Sequence, residues 1–296
     1  IQGYSKNHTY DDGGLSMSIK ITADSTCDLP QALLEKYQIT IVPLYVNLDG
    51  VVHRDGVDIV PEQIFDHVAA GGNLPTTAAI NIADYTEIFA PLSAQYDAVI
   101  HINISQDFSS CHQNAVLAAG ELDNVFVVDS RNLSCGHGFV VLEAALAAAR
   151  GEKVEDILPY LERLTARVDT TFVVDKLDYL AKGGRCSAVA ALGANLLKLK
   201  PCIQVSDGKM GVAKKYRGNW DKVLLDYVKE RVSDPTGINR DRIFLVHTRC
   251  DQGVVESVRA ALVGYGFQDI YEATAGCTIS SHCGPNTLGI IFLRNE

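Results

Sequence analysis

The chain has 296 residues, 47% of them apolar and 21% charged, enough for two buried cores, and no apolar run is long enough to cross a bilayer. A formal net charge of -10, with no basic stripe or interleaved aromatics, repels phosphate backbones and excludes nucleic acid as a partner. Eight cysteines without a CxxC pair, and no charged-then-apolar opening segment, point to a reduced cytoplasmic setting with neither disulfides nor a metal site.

Residues 1–16, "IQGYSKNHTYDDGGLS", are polar and Gly-rich and read as an appended or unstructured leader. "SIKITAD" (18–24) has the β-branched content of a buried strand, and "LPQALLEKY" (29–37) predicts a helix with Pro30 near its first turn. An extended ribbon at about 41–58 turns back at Asp49-Gly50, a pair suited to a tight hairpin. Then come a helix (about 61–70), a loop "GGNLPTTAAIN", a helix (about 82–94), and the strand "DAVIHINI". Clustered hydroxyls in "SQDFSSCHQNA" open the next helix, "NVFVVDS" (124–130) is a strand, and the Ala-rich "HGFVVLEAALAAAR" is a helix apolar enough to lie between layers. This alternation predicts a mainly parallel sheet covered on both faces.

From about residue 154 the character changes. A helix "VEDILPYLERLTARV" and a strand "TTFVV" lead to the Gly-containing "LAKGGRCSAVAALGANLL" and to a second hairpin at Asp207-Gly208. A helix near 219–232, strand "RIFLVHT", helix "QGVVESVRAALVGYG", strand "DIYEATA" and final strand "GIIFLR" complete the chain. The reading is an N-terminal α/β domain over 17–165 and a C-terminal α+β domain over 166–296.

"GHGFVV" (136–141) has the setting of a dinucleotide fingerprint, but Val141 replaces the third glycine, and no phosphate-cradling G-x-x-x-x-G-K-[ST] run occurs. ATP binding is therefore disfavoured. Ser105, Ser109 and Ser110 lie in no G-x-S-x-G elbow and no base is picked out beside them. They are helix caps, or caps that also line an anion site, because the same amides and helix dipole attract a carboxylate. His282, before Gly-Pro in a turn ahead of the last strand, and Arg185, in a Gly-Gly setting, are each either structural or functional.

Five segments in order resemble the DegV family of bacterial fatty-acid-binding proteins from Met17 onward: "ADSTCDLP", "VVDSRNLSCGHG", "LDYLAKGGR", "LLKLKPCIQVSDGKM" and "SSHCGPNTLG". The resemblance implies a noncovalently bound long-chain fatty acid, similar to palmitate, stearate or oleate, as ligand between the two domains, and no cofactor. It implies that Thr77 and Ser109 hold the carboxylate, with His282, Arg185 and Ser110 as further head-group or partner contacts. The tail would enter an apolar tunnel in the N-terminal domain, for which the Ala-rich helix 138–149 is a candidate wall. Around these hydroxyls the sequence departs from the family, with Ala78, Ala79, Ile80 and Asn81 after Thr77 and with Asp107, Ser110, Cys111 and His112 about Ser109. Asp107 would oppose a carboxylate unless it points away. The family further implies a cytoplasmic carrier without catalysis of its own, presenting its ligand to a separate fatty acid kinase for phospholipid synthesis. Two other readings stay open: an acyl- or phosphoryl-transfer enzyme related to dihydroxyacetone kinase, reacting at Ser109 or His282, and a lipid-sensing regulator.

Overall fold

The computed structural model describes residues 18–190 and 199–295, so the expected leader 1–16, Met17 and residues 196–198 of the "LLKLKPC" run lie outside it. The first β-branched run forms β1 (Ile19–Asp24), a 3-10 turn covers Ser25–Cys27, and α1 (Gln31–Lys36) starts directly after Pro30. β2 (Thr40–Val42) pairs in parallel with β1. The ribbon expected at 41–58 is therefore divided at Pro43-Leu44, and only β3 (Tyr45–Leu48) and β4 (Val51–Arg54) form the hairpin. Its turn holds Asp49 at φ 50 and Gly50 at φ 88, the positive pair that a two-residue turn between twisted strands requires.

After α2 (Pro61–Ala69) the segment read as a loop contains a strand, β5 (Thr76–Ala78). The free edge of β3 makes it one: Val46 pairs with Thr77, giving a small sheet ordered β4-β3-β5. α3 (Ile82–Gln95), β6 (Ala98–Asn103), α4 (Cys111–Ala119), β7 (Val125–Asp129) and α5 (Ser134–Ala149) follow. The parallel sheet is ordered β2-β1-β6-β7, and β6 is buried at every position, as a strand covered on both faces must be. α5 packs on β1 and β6 and also on the second sheet, which accounts for its Ala-rich sequence and near-complete burial.

Beyond α6 (Val154–Thr165) a six-stranded sheet takes all its strands from Val168 onward. They are β8 (Val168–Val174), β9 (Lys200–Ser206), β10 (Lys209–Tyr216), β11 (Ile238–Thr248), β12 (Asp269–Thr274) and β13 (Thr287–Arg294), ordered β10-β9-β8-β13-β11-β12 and antiparallel except for β11 with β12. The second hairpin turns at Asp207 and Gly208 as expected. Short helices α7 (Asp178–Gly183) and α8 (Ser187–Ala190) precede β9, and α9 (Trp220–Val232) and α10 (Gln252–Gly264) flank β11 in sequence. α11 (Cys277–Cys283) stands where a turn was expected around His282.

The result is an α/β fold, a parallel sheet flanked by helices with a β-hairpin set into it, joined to a sheet-rich α+β part. One core links the parallel sheet, α5 and the inner face of the six-stranded sheet, and a second core lies under α9 and α10. In the parallel sheet β2 lies on one side of β1 and β6 on the other, so the loops after β1 and β6 part at the strands' C-terminal ends. Open α/β sheets form their ligand crevice at that point.

Candidate functional site

At this crevice, β5, the β6–α4 loop, α7 with the loop after it, β10 and α11 enclose a cleft with an empty volume of about 560 Å³, part of it open to solvent. Leu44, Ile104, Phe108, Leu133, Met210 and Ile279 make its wall largely apolar, and the polar side chains on it are Thr77, Ser109, Arg185, Thr278 and His282. Four residues singled out in the sequence thus meet in one cleft.

The β6–α4 loop is placed by a buried polar network. Asp24, at the end of β1, accepts hydrogen bonds from Tyr85 Oη (2.7 Å), Asn103 Nδ2 (3.1 Å) and the Ile104 amide (3.1 Å), with His101 Nε2 at 3.3 Å. Burial would raise this carboxyl, but the His101 hydrogen bond, the charges of His101 and His137 and the Tyr85 hydroxyl hold it below its ordinary value. Further along, Ser105 Oγ donates to the Gly208 carbonyl (2.9 Å), and Asp107 lies 3.7 Å from Lys209 Nζ. Asp107 therefore faces the β9–β10 turn and is absent from the cleft wall.

Ser109 Oγ accepts from the Cys111 amide (3.3 Å) and donates to Cys111 Sγ (3.1 Å), so it does cap the start of α4 while lining the cleft. Burial pushes the Cys111 thiol up to about 12, which makes it an inert neighbour. Ser110, expected as a further head-group contact, is exposed and does not line the cleft. The Ala-rich helix 138–149 does not line it either, because α5 is filled on both sides by the two sheets.

Thr77 Oγ1 lies 2.8 Å from His282 Nε2. Burial, and secondarily the Arg185 charge, push the imidazole down to about 4, so it is neutral at pH 7. Among the described residues its Nδ1 has no partner, and a Cβ added to Gly183 would stand 2.3 Å from that nitrogen. An unpaired N–H costs more than an unpaired lone pair, so the proton is assigned to Nε2, which donates to Thr77 Oγ1. The Thr77 hydroxyl hydrogen is then left for a ligand. Arg185, exposed at the rim, donates through Nη1 to the Gly183 carbonyl (2.8 Å) and through Nε to the Phe108 carbonyl (3.4 Å). Thr278, one helical turn before His282, was not legible in the sequence; it lines the cleft and its hydroxyl has no partner.

A model described as an uncharacterised protein, DegV family, matches residues 18–295. The chain belongs to the DegV family. A curated relative from Thermotoga maritima named as a fatty acid-binding protein is 32% identical over 284 residues, covering 92% of this chain and 96% of its own. A solved structure described as fatty acid binding of a DegV family protein from Thermus thermophilus superposes with a TM-score of 0.86 at 32% identity, covering 94% of this chain and all of its own. A stearic acid-binding protein from Eubacterium ventriosum superposes at 0.79 with 26% identity, covering 93% and 98%.

In this DegV protein a second, small and almost wholly apolar cavity adjoins the cleft and shares Leu133, Ile279 and Cys283 with it. It lies between α11 and the six-stranded sheet, against Phe172, Val246 and Ile291. The two adjoining cavities thus border the second sheet, and of α5 they meet its first residue, Ser134, but not residues 138–149. Thr77 and His282 resemble a hydroxyl nucleophile and its base, but no third group orients Nδ1 among the described residues. Among the described residues the hydrogen bonds of Ser109 Oγ run to Cys111, not to an imidazole. Among the described residues no cluster of His, Cys, Asp or Glu is disposed to hold a metal ion, and no helix is long and apolar enough to cross a membrane.

Proposed function

We propose that this protein binds a long-chain fatty acid noncovalently, its carboxylate held by Thr77 and Ser109 and its tail in the apolar space that runs past Leu133 and Ile279 toward the six-stranded sheet. The observation that carries this reading is the cleft itself, with the hydroxyls of Thr77 and Ser109 on its wall and an adjoining apolar cavity that shares Leu133, Ile279 and Cys283. The fatty acids named for DegV relatives support the ligand class. Magnitudes divide the labour. About fourteen methylenes at about 0.8 kcal/mol each give on the order of 10 kcal/mol before ordering costs, whereas each hydroxyl contact gives about 1 kcal/mol. The tail sets affinity, and the hydroxyls orient the head group and reject ligands that lack one.

His282 acts through Thr77 in this reading, and Arg185 supplies the nearby positive charge because His282 is neutral. In this reading the protein serves as a carrier. It presents the carboxylate to a separate ATP-dependent fatty acid kinase, whose acyl phosphate feeds phospholipid synthesis in the cytoplasm. Native mass spectrometry of the purified chain, followed by denaturing extraction, tests the ligand: a released C16 to C18 acid is expected. A chain that stays lipid-free after incubation with such acids sinks the reading, and a covalent adduct on Ser109 or His282 replaces it with an acyl-transfer enzyme. Retention of a phosphorylated product only when a kinase is added tests the carrier step.

A further inference from the structure

Helix α11 carries Thr278, Ile279, His282 and Cys283 to the cleft, yet its seven residues are too few to form a stable helix alone. What fixes it is a pair of buried carboxyl groups from distant loops. Asp55 Oδ1 accepts from the Cys277 amide (2.8 Å) and Oδ2 from the Thr278 amide (3.0 Å), while Asp28 Oδ1 accepts from the Gly276 amide (2.8 Å). Asp55 is 4% exposed and Asp28 8%, so water competes for neither. Ser25 Oγ donates to Asp55 Oδ2 (3.0 Å), and Ser134 Oγ lies 2.5 Å from Asp28 Oδ2, so each carboxyl is itself held. At the other end of α11, Thr248 Oγ1 donates to the Gly284 carbonyl (2.5 Å).

Asp55 directly follows β4, and its amide donates to the Leu44 carbonyl (2.9 Å) just before β3. β3 pairs on its other side with β5, which carries Thr77. One small sheet therefore grips α11 twice, through Asp55 at the helix start and through the Thr77–His282 hydrogen bond near its end. A helix cap alone would need one carboxylate; here three successive amides are fixed by two, in line with the sheet that presents the partner hydroxyl.

We propose that Asp55, with Asp28 beside it, is a positioning residue for the carboxylate site: it sets α11 so that His282 Nε2 meets Thr77 and turns the Thr77 hydroxyl hydrogen toward the ligand. This rests on the reading of Thr77 as a head-group donor.

The test uses Asp55→Asn in the full chain, which keeps one acceptor oxygen and loses the second amide bond and the charge. In the ligand-free protein, ¹⁵N ring signals of His282 should show a single Nε2-protonated tautomer, replaced in D55N by a mixture. Affinity for palmitate should fall by at most about fivefold, the loss expected for the Thr77 contact itself, while affinity for hexadecanol changes less than about twofold. Should D55N not fold, Ser25→Ala, which frees Asp55 Oδ2 on one side, is expected to give a smaller shift of the same kind. An unchanged His282 spectrum in a folded variant, or an equal loss of acid and alcohol affinity, overturns the proposal. A wild-type chain that binds no fatty acid would remove the ligand reading and leave the ring spectrum to decide the positioning role by itself.

Discussion

The hydroxyl of Thr77 and the imidazole of His282 meet at 2.8 Å across 205 positions of chain. Because the imidazole is neutral and gives its proton to Thr77, the threonine can still donate onward. Thr77→Val should weaken long-chain fatty acid binding about fivefold, the worth of one hydrogen bond of about 1 kcal/mol. Ser109→Ala should do the same, and the double variant should lose on the order of 30-fold if the two contacts act independently. Equilibrium binding of a fluorescent fatty acid reads all three, and an unchanged double variant would remove both residues from the site.

Gly183 is a close approach that tolerates no side chain. Gly183→Ala places a methyl group 2.3 Å from His282 Nδ1 and must push the ring off Thr77. The expected loss of affinity is about that of Thr77→Val, and combining the two should cost little more, since both remove one interaction. Additive losses would mean that Gly183 acts by another route.

Asp28 gives a pH dependence of stability whose sign follows from its surroundings. Burial raises its carboxyl to about 8, opposed by the Ser134 hydroxyl and the Gly276 amide and reinforced by the charge of Asp55. From about pH 4 to about pH 8 the folded chain keeps a proton that the unfolded chain has shed. The stability this group contributes is therefore full below about pH 4 and is lost as pH rises through about 8. The melting temperature of Asp28→Asn should lack this decline, so the wild type should lose ground to it between pH 5.5 and 8.5 by about a few degrees. Parallel melting curves for the two proteins would show that Asp28 is already ionised at neutral pH.

Cys283 stands in the wall between the two cavities. Cys283→Leu should narrow the passage and shift the extracted lipid toward shorter chains, at a stability cost of about 1–3 kcal/mol for overpacking. An extracted profile identical to that of the wild type would place the tail elsewhere.

Elements set by local chemistry were legible in the sequence. Both Asp-Gly turns, the buried strands β1 and β6, and the Ala-rich α5 between layers follow from neighbouring residues alone. β5 and α11 were not. Thr76–Ala78 is a strand only because β3 pairs with it, and the caps of α11 lie 248 and 222 positions away at Asp28 and Asp55. Thr77, Ser109, Arg185 and His282 came from motif resemblance, and the structure brings them to one cleft. Ser110 did not follow, since it sits on the outer side of the same helix start. Thr278, Leu133 and Met210 carried no signal, because a cleft wall exists only once distant segments pack.

That the cleft draws one side from residues 44–133 and the other from 180–283 ties occupancy to the integrity of the whole chain. No fragment that ends between the two stretches keeps more than half a wall. A ligand that binds only the closed arrangement acts as a removable cross-link, adding about 4 kcal/mol to global stability at a thousandfold excess over Kd. On the proposed function, lipid bound to a purified sample would set its apparent melting point, and two preparations with different lipid loads would melt as though they were different proteins.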